Sequence, residues 1–210
     1  MPDSNTCLIY LIRHAATANN RARPPILQGR RTDPELSPEG VEQAAQTAGF
    51  LANYPIDVVF SSPLRRAMET AAAIAAPHGL EVTPDAGFIE ADVGEWEGLS
   101  WDKIEAEFPD EYHGFMTDPE VSPYRRGESI GDVHRRILPH FERLAAENPG
   151  KSIVLVAHNV VNRAYIAHVM GIPVGKYRSV PQSNCGINLL RFRDGKMTVL
   201  TINGRFHRPV

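Results

Sequence analysis

Cysteine is scarce in this chain: Cys7 and Cys185 are the only two among 210 residues. Two thiols make no disulfide framework and form no zinc-ligand spacing, so each is read as a free thiol packed as a small hydrophobe. Long apolar runs are missing too. The first one, Cys7-Leu8-Ile9-Tyr10-Leu11-Ile12, is cut off by Arg13, far short of the roughly 18 residues that cross a bilayer. The segment before it, Met1 to Thr6, has no basic stretch, so no signal peptide and no membrane partner are expected, and a cytoplasmic location is. Neither sign of charge dominates. Twenty-two Lys+Arg against 25 Asp+Glu give a formal charge of -3 with the arginines scattered, which argues against a nucleic-acid partner. Apolar content of 42% and charged content of 22% are ordinary for a globular chain and exclude both disorder and a fibrous repeat. At roughly 100 to 200 residues per domain, one domain spanning 1–210 is expected.

What is present is an alternation of apolar runs and amphipathic stretches. The runs at Cys7–Ile12 and Ile153–Ala157 are dense in aliphatic residues, as in strands covered on both faces within a parallel sheet. Ser37-Pro38 predicts a capped helix through Leu51, with proline at its first position. Asp57–Phe60 predicts a second strand, and Ser61-Ser62-Pro63 a cap for a helix to Ala76. Glu81–Thr83 reads as a short edge strand, Ser129–Glu147 as a helix, and the segment after His158-Asn159 as a helix ending near Met170-Gly171. Gly186–Arg193 and Lys196–Ile202, joined by Asp194-Gly195, predict a tight hairpin. From about 91 to 127 the composition shifts to aromatic and acidic residues broken by glycines, which predicts short helices roofing a site. The sum is an α/β fold: a three-layer α/β/α sandwich with a mostly parallel sheet and an antiparallel edge strand.

Ligands of such sheets bind beyond the carboxyl ends of the strands, and three strand ends carry polar groups: Arg13-His14, Ser61-Ser62 with Arg65-Arg66, and His158-Asn159. Guanidinium forks suit the oxygens of a phosphoryl group. A neutral imidazole can attack phosphorus directly, dividing one hard displacement into two easier ones. Glu90 lies among Phe88, Ile89, Val93 and Trp96, where an apolar environment would raise its carboxyl pKa and suit it to protonate a leaving alkoxide.

Arg13-His14-Ala15-Ala16-Thr17-Ala18-Asn19-Asn20 resembles the Arg-His-Gly-Glu-Thr signature, with its later Asn, of the histidine phosphatase superfamily, in the branch containing cofactor-dependent phosphoglycerate mutases. Leu36-Ser37-Pro38-Glu39-Gly40 resembles its Leu-Thr-Pro-x-Gly helix start. Ser61–Ala71 is similar to its Ser-Ser-x-Leu-x-Arg-Ala-x-x-Thr-Ala segment. Glu90–Gly98 resembles the segment carrying the acid, Gly127-Glu128-Ser129 its Gly-Glu-Ser, and Val156-Ala157-His158 its Val-Ser-His. The resemblance implies that His14 is the phosphorylated nucleophile and Glu90 the proton donor. It implies that Arg13, Arg66 (rather than Arg65) and His158 hold the phosphoryl oxygens with Asn20 beside them, and that no metal or cofactor is needed. Two departures bear on the substrate: Ala15-Ala16 replaces Gly-Glu, and Asn159-Val160 follows the second histidine in place of a glycine pair.

The expected activity is a metal-independent phosphomonoesterase acting on a small-molecule phosphate ester through a phosphohistidine. The alternatives are a phosphoglycerate mutase, disfavoured by the compact roof, and a non-catalytic phosphate-ligand-binding protein, suggested by Ala15-Ala16 and Asn159. Sugar phosphates, phosphoglycerates and their glycosides, and α-ribazole phosphate all suit a short aromatic roof. Arg21, Gln28 and Gly29, on the loop after the nucleophile, are candidate substrate contacts, as is Asn159. Arg125-Arg126 is read either as a site for a second anionic group or as a solvated basic pair. Trp96 and Trp101 either stack on substrate or pack the roof, and Asn184-Cys185 is placed near the pocket from its far side. His78, His113, His134, His140, His168 and His207 are assigned to surface or packing. Oligomeric state is not legible from the chain.

Overall fold

The computed structural model describes residues 3–207. In chain order the elements are β1 (Thr6–Arg13), α1 (Ala18–Arg21), α2 (Pro38–Leu51), β2 (Val58–Ser61), α3 (Arg65–Ala75), β3 (Val82–Pro84), α4 (Trp101–Glu107), α5 (Pro109–Thr117), α6 (Ile130–Ala146), β4 (Ser152–Ala157), α7 (Asn159–Val169), β5 (Ile187–Arg193) and β6 (Lys196–Gly204). Short 3₁₀ turns fill several of the connections. Among the described residues no helix is long and apolar enough to cross a membrane.

The six strands form one sheet in the order β3-β2-β4-β1-β5-β6. The first four pair in parallel, and β5 runs against β1 and pairs antiparallel with β6. The antiparallel edge is thus the whole terminal hairpin, turned at Asp194 and Gly195, both at positive φ (51° and 73°), as a two-residue turn of this kind requires.

The dense apolar runs are explained by burial on two faces. Along β1, Tyr10 and Ile12 join Val154 and Val156 of β4 under α2 and α3, packed with Leu51, Ala67, Ala71 and Ile74. The alternate residues Ile9 and Leu11, with Ile153 and Leu155, meet Ile137 and Phe141 of α6 and Val161 and Ala164 of α7. This period-two division between two helical layers is why neither strand reads as polar on alternate positions.

Two predicted caps had different outcomes. Ser37 Oγ accepts from Gly40 N–H at 3.1 Å and opens α2 as expected. Ser61-Ser62-Pro63 does not cap α3; its first N–H, on Arg65, is instead taken by the Asp33 carboxylate at 2.7 and 2.8 Å. The serine hydroxyls have other tasks: Ser61 Oγ donates to Ser62 O, and Ser62 Oγ bonds a histidine ring. Gly40 also permits close packing, since a Cβ there would lie 2.0 Å from the Ala16 carbonyl oxygen.

Candidate active site

Strand register assembles the site. Arg13 stands opposite Ala157 and Ser61 opposite Val156, so His14, His158 and Ser62 leave the sheet side by side at its carboxyl edge. The ladder continues one residue further, with His14 N–H donating to Ala157 O at 3.0 Å and Ser62 N–H to Val156 O at 2.9 Å. The rings of His14 and His158 lie with centroids 5.2 Å apart.

His14, only 3% exposed, has its Nδ1 2.7 Å from the Ala15 carbonyl oxygen. A carbonyl can only accept, so Nδ1 carries the proton and Nε2 keeps its lone pair. Burial, followed by the charges of Arg66 and Arg13, holds the imidazole pKa well below its usual value, so the ring stays neutral. His158 is fully buried, with Nε2 2.7 Å from Ser62 Oγ and Nδ1 without a partner. Burial, then the charges of Arg66, His14 and Arg13, lowers its pKa as well.

Glu90 reaches the same cavity from the segment before the roof and is 4% exposed. Its Oε1 accepts from Ala91 N–H at 2.9 Å and Oε2 from Val160 N–H, in the first turn of α7, at 3.3 Å. Burial outweighs these bonds and the nearby arginine charges, and the carboxyl pKa is raised. Arg13 donates through Nη1 to Gln182 O at 2.8 Å while its buried Nε has no partner. Burial, only partly offset by Glu90, lowers its pKa to about 10.

Arg66 is fully buried, and the protein itself uses most of its fork. Nη2 donates to Gly29 O at 2.8 Å and Nη1 to Thr32 O at 3.3 Å. With the Gln28 amide turned so that its nitrogen donates to Thr17 Oγ1, its oxygen accepts from Arg66 Nε at 2.6 Å. Arg66 therefore acts on the two imidazoles mainly through charge and retains little of its fork for a ligand.

The other expected contacts separate into three groups. Asn20, Gln28 and Asn159 line the cavity. Gly29 does not; its carbonyl anchors Arg66, and a Cβ there would strike Val93 Cγ2 at 2.6 Å. Arg21 is a correction: it is exposed and paired with Glu39 at 2.7 Å, because α1 turns its side chain toward α2. Arg125 and Arg126 are also outside the cavity, paired with Glu95 and, for Arg125, with Glu111 as well. Asn184 Nδ2 donates to His14 O at 2.9 Å and to Asn20 Oδ1 at 3.1 Å, so it fastens the His14 backbone from the far side. Trp96 is wholly buried against Phe115 and Tyr124, while Trp101 packs on Phe115 and also lines the cavity.

Sequence reading missed three contributors. Glu97 accepts from the N–H groups of Gly29, Arg31 and Thr32 and so shapes the loop behind Arg66. Arg163 and Arg178 face the cavity, which measures about 360 Å³. Arg163 lies four residues after Asn159, one helical turn away on the same face, a spacing that could have singled it out.

This arrangement offers a neutral imidazole nitrogen with a lone pair, surrounding cations and one carboxyl whose pKa burial raises. Residues 9–205 match the histidine phosphatase superfamily (branch 1). The chain belongs to that superfamily. It is 29% identical over 201 residues to phosphoserine phosphatase 1 of Hydrogenobacter thermophilus, covering 95% of this chain and 93% of the relative. It is 32% identical over 176 residues to a glucosyl-3-phosphoglycerate phosphatase of Mycolicibacterium vanbaalenii, covering 80% and 76%. Among solved structures, a phosphoserine phosphatase mutant of Entamoeba histolytica in complex with phosphoserine superposes with a TM-score of 0.86 at 29% identity, covering 96% of this chain and 98% of that one. With such relatives, this histidine phosphatase is a phosphoric monoester hydrolase. Its departures at Ala15 and Ala16 are accommodated sterically. Both are buried, neither has positive φ, and their N–H groups donate to Thr70 Oγ1 and Gln43 Oε1 at 3.0 Å each.

Proposed function

We propose that this histidine phosphatase hydrolyses a small phosphorylated metabolite through a phosphohistidine at His14, without a metal ion. The observation that carries this reading is the fixed tautomer of His14: Nδ1–H is committed to Ala15 O and the Nε2 lone pair is free. In the first step Nε2 bonds to phosphorus, the ester P–O bond breaks, and the Glu90 carboxyl gives its proton to the departing oxygen. The positive charge left on the phosphorylated ring is met by the Ala15 carbonyl at Nδ1. In the second step water attacks the same phosphorus, the P–Nε2 bond breaks, and the Glu90 carboxylate takes the water proton, which restores both groups. The Arg13 Nε–H, the charge of Arg66 and the His158 ring stabilise charge on the transferring oxygens, the kind of preorganised electrostatics that dominates phosphoryl transfer. These groups do the work a metal does elsewhere, and among the described residues Glu90 is the one carboxylate on the cavity wall.

The test is hydrolysis of p-nitrophenyl phosphate with a chelator present, by native protein and by His14→Ala. Activity that survives chelation and is lost with His14→Ala, together with an acid-labile phosphoenzyme trapped on quenching, is expected. Chelator-sensitive activity, or activity retained by His14→Ala, would overturn the mechanism.

A further inference from the structure

Resting on that reading, we infer that the substrate is a phosphate ester whose alcohol portion carries a carboxylate, held by Arg163 and Arg178. Five arginines that do not line the cavity are neutralised: Arg30 and Arg31 by Asp92, Arg125 and Arg126 by Glu95, Arg136 by Glu128. Arg163 and Arg178 are different. Among the described residues neither is in an ion pair, yet both line the cavity beside Arg13 and His14. Arg163 Nε and Arg178 Nη2 are each shielded from solvent with no hydrogen-bond partner. Buried donors of this kind are costly unless a ligand satisfies them, and burial, with the neighbouring Arg178 charge adding to it, lowers the Arg163 pKa.

The geometry selects the class of ligand. Arg163 lies four residues along α7 from Asn159, about 6 Å up the helix axis, and Asn159 immediately follows His158. Arg163 thus enters the same cavity as His14 from one helical turn beyond Asn159, so one small ligand spans both. Arg178 is fixed as a plate over the ring of Phe115 at 5.0 Å and beside Tyr177 at 5.1 Å, which orients a planar fork for a planar partner. A carboxylate meets such a fork through two parallel hydrogen bonds. The roof closes the cavity to about 360 Å³, suited to a small acid. Arg125-Arg126, the pair that sequence suggested for a second anionic group, is spent on surface carboxylates; the role falls instead to two arginines far apart in the chain.

The experiment compares kcat/KM for 3-phosphoglycerate and for glycerol 3-phosphate, which lacks the carboxylate, with p-nitrophenyl phosphate as a reporter of phosphoryl chemistry. Native protein should prefer the acid. Arg163→Met and Arg178→Met should each reduce the ratio of acid to alcohol by about 10- to 100-fold, the loss expected for a charged hydrogen-bonded contact, chiefly through KM, with partial recovery in Arg163→Lys. Native preference for the alcohol, or equal losses on both esters in the variants, would overturn the inference and leave the phosphatase reading intact. If no ester is hydrolysed at all, the phosphatase reading fails, and calorimetry of the two esters with His14→Ala then decides the subsite: tighter binding of the acid supports it and equal binding overturns it.

Discussion

Ser62→Ala separates positioning of the site from simple packing. Ser62 Oγ is 2.7 Å from His158 Nε2, both groups are buried, and His158 Nδ1 already lacks a protein partner. Deleting the hydroxyl leaves the ring with neither nitrogen satisfied. An unmet buried polar atom costs about 1–3 kcal/mol, so stability in urea should fall by that amount. If His158 must hold its orientation toward the transferring phosphoryl group, a similar energy reappears in the barrier, and kcat/KM for p-nitrophenyl phosphate should drop roughly 5- to 100-fold at about 1.4 kcal/mol per decade. Ser61 supplies the control, being equally buried and donating to Ser62 O at 2.8 Å without touching either imidazole. Ser61→Ala should lose comparable stability and keep kcat/KM within about twofold. Denaturant titration and steady-state kinetics on both variants read the outcome. Equal activity losses in the two, or full activity in Ser62→Ala, would refute a positioning role for this hydrogen bond.

Glu90→Gln keeps the shape and the bond from Ala91 N–H but has no proton to give. Its kcat on an alkyl phosphate should fall about 10²- to 10⁴-fold, and much less on p-nitrophenyl phosphate, whose leaving group needs no acid; similar losses on both would assign Glu90 another role. The pH profile follows from the two shifts. Because burial raises the Glu90 pKa, its acid form persists above the usual carboxyl range, and alkyl-ester kcat/KM should decline as pH rises through that raised value, with the decline absent in Glu90→Gln. Because the His14 pKa is lowered, the nucleophile stays neutral below pH of about 6.5, where free imidazole is half protonated; an acid limb centred there, after allowance for the ester's own ionisation, would contradict the burial argument.

Much of the fold and of the candidate site could be read from the chain because they depend on local pattern. Cys7–Ile12 and Ile153–Ala157 are apolar on both parities, which only a strand covered on two faces demands, and a polar pair after each run marks the strand's exit from the sheet. Ser37-Pro38 and Asp194-Gly195 encode a cap and a turn in adjacent residues. These features determined the α/β sandwich, its hairpin edge, and the exit of His14 and His158 from neighbouring strands, while Glu90 was legible from its apolar neighbours and the family resemblance. Long-range contacts were decided elsewhere. Ser62 gave up its helix cap to hold His158 because β2 and β4 are neighbours, and Asp33 took the vacant N–H of Arg65 across 32 residues. Arg66 is engaged by Gly29, Thr32 and Gln28, on a loop whose N–H groups at Gly29 and Thr32 are held by Glu97 from 65 to 68 residues away. Whether an arginine is neutralised or left free toward the cavity, the difference between Arg125 and Arg163, depends on which carboxylates the tertiary structure brings within reach. A charge's partner is set by distance in space, and the sequence records that distance only where the partners are a turn or a strand apart.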